Sequence, residues 1–151
     1  MIMEITQQLL NKKFKEFNKL YFDSLLKKPQ LIICNSKHYV GCFNCEKVSI
    51  KDKKRKTLNS PKIEISNYYN LLYEDFRDIL VHEMIHYFII LKTHDNKMKN
   101  DKYCHGAIFQ KMANEFNNKY NLNIADKFYG NLIPIKEDKG FFSHFFSWSI
   151  Q

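Results

Sequence analysis

Ile79-Leu80-Val81-His82-Glu83-Met84-Ile85-His86-Tyr87-Phe88-Ile89-Ile90-Leu91 is the stretch that decides how this chain reads. Its apolar residues recur on nearly every side of a helix, which marks a central, buried α-helix. Within it sits His82-Glu83-Met84-Ile85-His86, an HExxH string. Residues four apart on a helix stack one above the other, so His82 and His86 can offer two imidazoles to one metal ion. Glu83 lies about 100° on from His82, which places its carboxylate beside such an ion. There it can polarise a bound water, which is the arrangement of zinc-dependent hydrolysis.

Working outward, the helix is expected from about Asn70 to Lys92, with Glu74 and Asp75 at its start and Lys92 at its end complementing the dipole. Upstream, Met3 to Leu26 repeats apolar residues at helical spacing (Ile5, Leu9, Leu10, Phe14, Phe17, Leu20, Tyr21, Leu25), which predicts an amphipathic helix ended by Lys27-Lys28-Pro29. Leu31 to Cys34 reads as a short buried strand with Tyr39 to Phe43 as its hairpin partner. Lys47 to Ile50 and Lys62 to Ser66 alternate with period two, as strands of one antiparallel sheet with a wet face. Between them Lys51 to Lys56 is a charged loop tip. Downstream, a polar stretch from Lys92 to Cys104 leads to a further helix over Gly106 to Tyr120. The tail from Phe141 to Ile150 is aromatic and is expected to dock on the domain's own core.

The whole is an α+β chain of 151 residues, one domain over 1–151 with a core of about 11–120 and an aromatic-rich tail of 121–151. Hydrophobic content of 44% supports a packed globule. The N-terminus shows no basic region followed by an apolar stretch, and the apolar run of the motif helix is too short and too interrupted to span a bilayer. A cytoplasmic protein with no membrane partner is expected. The net charge of +8 raises a nucleic-acid reading, but it comes from 22 Lys against 2 Arg, alongside 15 Asn and only 3 Ala. That looks like compositional bias, and so few arginines suit non-specific phosphate contacts better than base readout. Cys34, Cys42, Cys45 and Cys104 hold a single CxxC, without the second pair that would complete a ribbon, so thiols are expected and not a structural zinc site.

A catalytic zinc takes three protein ligands and an open position. His94, His105 and Glu115 are the downstream candidates for the third. His94 follows the helix too closely without a sharp reversal, whereas His105 opens the next helix. The string His82-Glu83-Met84-Ile85-His86, the polar loop, and then His105-Gly106-Ala107-Ile108-Phe109 resembles the SprT-like metallopeptidase family, with its HExxH…HGxxF pattern. Phe17-Asn18-Lys19-Leu20-Tyr21-Phe22 is similar to that family's N-terminal helix, and Gly41 with Ile63-Glu64-Ile65-Ser66 to its sheet. The resemblance covers about 11–116. It implies a small zincin-like domain with a short antiparallel sheet of three to four strands, His105 as third zinc ligand, and peptidase activity. The family includes DNA-dependent proteases that clear DNA–protein crosslinks in eukaryotes. Many bacterial members carry a C-terminal four-cysteine ribbon, but no cysteine follows Phe116 here, so the resemblance extends to no ribbon-mediated DNA contact.

The expected chemistry is therefore zinc-assisted hydrolysis of a protein substrate, possible non-specific DNA association included. Glu83 is general base, and His82, His86 and His105 are the metal ligands. His94 is a loop residue within reach of substrate. Ile63 and Ile65 belong to a sheet edge that would receive an extended peptide. The rival expectations are a non-catalytic DNA- or protein-binding module with a structural zinc, and a zinc hydrolase acting on a non-peptide bond.

Overall fold

The computed structural model describes residues 2–46, 59–93, 105–127 and 132–135. Helix α1 (Gln7–Tyr21) buries Leu10, Phe14 and Phe17, spaced four and three apart on one face. The Thr6 hydroxyl caps it, accepting the Leu9 N–H at 3.1 Å. The helix is shorter than the apolar spacing suggests at both ends. Ile2–Met3 forms strand β1 instead, and the chain leaves the helix after Tyr21 because Asp23 and Ser24 adopt left-handed backbone, φ 51° and 59°. Asn18 secures that exit: its Nδ2 donates to the Leu26 carbonyl at 2.8 Å and its Oδ1 accepts the Leu26 N–H at 3.1 Å. The reversal is complete before Lys27-Lys28-Pro29 is reached.

Strands β2 (Gln30–Cys34), β3 (Gly41–Glu46) and β4 (Asn59–Ser66) form one sheet in the order β2-β4-β3. β4 runs parallel to β2 and antiparallel to β3. The sheet is thus mixed, not wholly antiparallel, and β2 and β3 are not hairpin partners. The connection between them explains why. Its Val40 carbonyl accepts from Ser66 N–H, its Ser36 carbonyl from the Ser66 hydroxyl, and the Cys34 carbonyl from Asn67 N–H. Those bonds seat the end of β4 between the two earlier strands.

The alternation in β4 places its faces as expected. Ile63 and Ile65 point into the core, fully buried, while Lys62 and Glu64 face outward and pair at 3.1 Å, with Tyr39 donating to Glu64. The placement of Ile63 and Ile65 on a substrate-binding edge is overturned. β4 is the central strand, and both of its edges are occupied by ladder hydrogen bonds.

A second small sheet joins β1, β5 (Tyr69–Leu72) and β6 (Ile133–Pro134), all antiparallel, with β5 in the middle. Helix α2 (Tyr73–Thr93) therefore starts later than the apolar pattern suggests. Tyr69 and Leu71 are buried with period two, and the chain turns helical only where Glu74 and Asp75 can occupy the first turn. Phe76, Ile79, Leu80, Val81, Met84 and Ile85 are all fully buried, so α2 is the core helix of the molecule. It packs against β3, β4 and β5 and against α3 (Ala107–Tyr120). Aromatic contacts join the three helices: Phe22 lies 5.8 Å from Phe88 and 5.3 Å from Phe116, and Tyr21 4.8 Å from Tyr120.

Among the described residues no helix is long and apolar enough to cross a membrane. Cys34, Cys42 and Cys45 are thiols. Strand 47–50, the basic loop 51–56, His94, Cys104 and the aromatic tail 141–150 lie outside the described residues.

Candidate metal centre

Helix geometry brings His82 and His86 to one face of α2, and His105 arrives from the residue before the α3 cap, Gly106. Their Nε2 atoms converge. The separations are 3.0 Å for His82–His86, 3.0 Å for His82–His105 and 3.2 Å for His86–His105. Among the described residues this is the group of three or more His, Cys, Asp or Glu side chains gathered closely enough to hold a metal ion. Phe109, four residues after His105 and fully buried, forms the floor. Its ring centroid lies 4.8 Å from each of the three imidazoles, stacked on His86 and edge-on to His105. The HGxxF spacing has a physical purpose: one turn of α3 places its phenylalanine under the trio and so fixes His105 above it.

Buried polar groups need partners, and this cluster sits at the bottom of the core. His82, Glu83 and His86 are at most 1% exposed. Burial holds the His82 imidazole well below the ordinary histidine range, aided by the charges of His86 and His105, and the polar backbone at Ala125 opposes it. Burial and His105 likewise hold His86 low. Both rings are thus neutral near pH 7, with lone pairs available for ligation.

Three imidazole Nε2 atoms that converge on one point offer their lone pairs to a shared cation. Tetrahedral zinc at about 2.0–2.1 Å from each nitrogen requires nitrogen separations of about 3.3 Å. The observed triangle is slightly tighter and fits a zinc-sized ion.

Glu83 is the fourth member. Burial pushes its carboxyl well above the usual range, and the polar backbone at Phe43 partly offsets this. Among the described residues no side chain donates to either of its oxygens. Its space exists because residue 41 is glycine. A Cβ there would stand 2.8 Å from Ile79 Cγ2 and 2.9 Å from Glu83 Oε1, so β3 could not lie this close to α2. Gly41→Ala should therefore displace Glu83 and cost about 1–3 kcal/mol of stability, measured by urea unfolding. An unchanged midpoint would mean that the strand and helix separate without penalty.

Of the residues read from the sequence, His82, His86 and His105 come together with Glu83 next to His82 on α2, whereas Glu115 is exposed on α3 and is not in the cluster. Ala125 escaped that reading because a backbone group leaves no mark in a sequence. Gly41 was legible only as part of a resemblance.

The SprT-like family model matches residues 10–128. This chain belongs to the SprT-like family. The matched span includes α1 from Leu10 onward, β2–β4, the SprT-like HExxH helix, His105 with its floor Phe109, and the segment that carries Ala125. β1 and β6 lie outside it. No curated protein matches the chain.

Proposed function

We propose that this protein is a zinc-dependent peptidase that hydrolyses peptide bonds in protein substrates. The observation that carries the reading is a fully buried glutamate, without a side-chain partner among the described residues, on the helix that carries two of three convergent imidazoles. A zinc ion held by His82, His86 and His105 supplies Lewis acidity, polarising the scissile carbonyl and making water more acidic. The chain's own residues do the rest. Glu83 takes the proton that the attacking water gives up and returns it to the departing amine. Burial raises the proton affinity of Glu83, which favours taking up the proton from water.

β3 is the better support for an extended substrate than the strand first considered. It passes directly by Glu83, with Gly41 against the carboxyl. Among the described residues β3 has one strand neighbour, β4, so its other edge can pair with a peptide backbone.

The rival reading, a binding module with structural zinc, fits less well. Structural zinc takes four protein ligands, and three are gathered among the described residues. The lysine-rich composition favours DNA-associated proteins as substrates through non-specific phosphate contacts. The test is cleavage of an unfolded protein such as casein by the zinc-loaded chain, with and without single-stranded DNA and with and without chelator. Cleavage abolished by chelation is the expected result. Zinc and DNA binding without cleavage of any protein tried would favour the module.

A further inference from the structure

The third histidine reaches the metal centre across a joint in the chain. His105 and Gly106 precede α3, and Gly106 is the cap of that helix, with extended backbone at φ −73° and ψ −168°. It makes no side-chain capping bond, whereas the Thr6 hydroxyl caps α1. A glycine here leaves the chain freer to swing than any residue with a side chain would. His82 and His86 have no such joint, because both lie within α2 and are at most 1% exposed. His105 is half-buried, so the core does not hold it in the same way.

One side chain spans the joint. Gln110, exposed near the start of α3, donates from its Nε2 to the His105 carbonyl at 3.2 Å. Its own backbone N–H donates to the Gly106 carbonyl at 3.0 Å. Both residues ahead of α3 are thus bonded to the residue that follows Phe109, whose ring meets the His105 imidazole edge-on at 4.8 Å. Phe109 holds the ring of the third histidine, and Gln110 holds its backbone.

We propose that Gln110 is a positioning residue of the metal centre. By closing the Gly106 joint, its amide sets where the His105 Nε2 points. The proposal rests on the reading that the three histidines bind a metal. Gln110 touches neither the ion nor the ring, so it acts on the freedom that His105 must give up when it ligates. A hydrogen bond of ordinary net strength corresponds to about three- to tenfold in affinity.

The same molecule contains a matched control. Gln7, at the start of α1, is also exposed, and its Nε2 donates to the Leu31 carbonyl at 3.0 Å. Leu31 belongs to β2, which carries none of the three histidines. If such bonds served only to fasten a helix to its surroundings, breaking either should have the same effect on the metal.

The experiment measures zinc affinity by chelator competition on the full-length protein, together with the melting temperature of the metal-free form. Gln110→Met, which keeps the length of the side chain and removes the donor, should bind zinc about three- to tenfold more weakly than wild type. Because Gln110 is exposed, the metal-free variant should melt close to wild type. Gln7→Met should bind zinc within about twofold of wild type. Gln110→Lys restores a donor and should recover most of the affinity, even though its charge opposes a cation. Wild-type affinity in Gln110→Met, an equal loss in Gln7→Met, or no recovery in Gln110→Lys overturns the proposal while the metal site stands. Failure of the wild-type chain to take up zinc overturns both.

Discussion

Glu83→Gln should reduce peptide cleavage by about 10²–10⁴-fold while the protein keeps its full complement of zinc. Glutamine has the volume of glutamate, so a fully buried site loses no packing. What disappears is the capacity to take a proton from water and hand it on. Stability should hold or rise. Burial already disfavours the charged carboxylate here, so a neutral amide removes a cost that grows as pH climbs above the ordinary carboxylate range. Cleavage rate, zinc content and melting temperature measured on one preparation separate the outcomes. Undiminished cleavage would remove Glu83 from the chemistry. Lost zinc would make it a ligand, and a lower melting point would make it structural.

The HExxH helix was legible because its apolar residues surround an axis and its polar ones do not, a pattern that needs no knowledge of neighbours. Its start was misread because Tyr69 to Leu72 is equally compatible with a helix until the pairing of Leu71 and Leu72 with Met3 and Ile2 makes it a strand. The sheet shows the same limit. Alternation in Lys62 to Ser66 told correctly which side chains face the core. It could not tell which strands lie alongside, because β4 enters between β2 and β3 through hydrogen bonds to a connection some thirty residues earlier. That single non-local fact moved Ile63 and Ile65 from an edge to the centre of the sheet.

The metal centre was legible in its side chains and illegible in its supports. Histidines and a glutamate are chemically distinctive, so spacing exposes them. The gap left by Gly41 acts through absence, and its role follows only from the folded arrangement. Three downstream residues were open as third ligand on spacing alone. The contact of Phe109 with all three imidazoles supplies the physical reason that His105 is the one delivered.

His105→Ala should weaken zinc binding by more than about a hundredfold. Zinc held by a full set of ligands in a small domain binds with about 10–16 kcal/mol, so one ligand of four carries about 3 kcal/mol or more. The site chosen for the substitution makes the test clean. His82 and His86 lie in the core, where removing a ring would leave a cavity and confound metal loss with unfolding. His105 is half-buried, just ahead of α3, and Phe109 remains as the floor when the imidazole is gone. Metal-free wild type and variant should therefore melt at nearly the same temperature. They should part only when zinc is added. At a free concentration one hundred times its dissociation constant, zinc stabilises the wild type by about 2.7 kcal/mol, and the variant should forfeit most of that gain. Equal zinc-dependent stabilisation of the two would show that the third ligand lies elsewhere. His94, which follows α2 in sequence, would then be the next residue to substitute, because Glu115 is exposed on α3 and is not in the cluster.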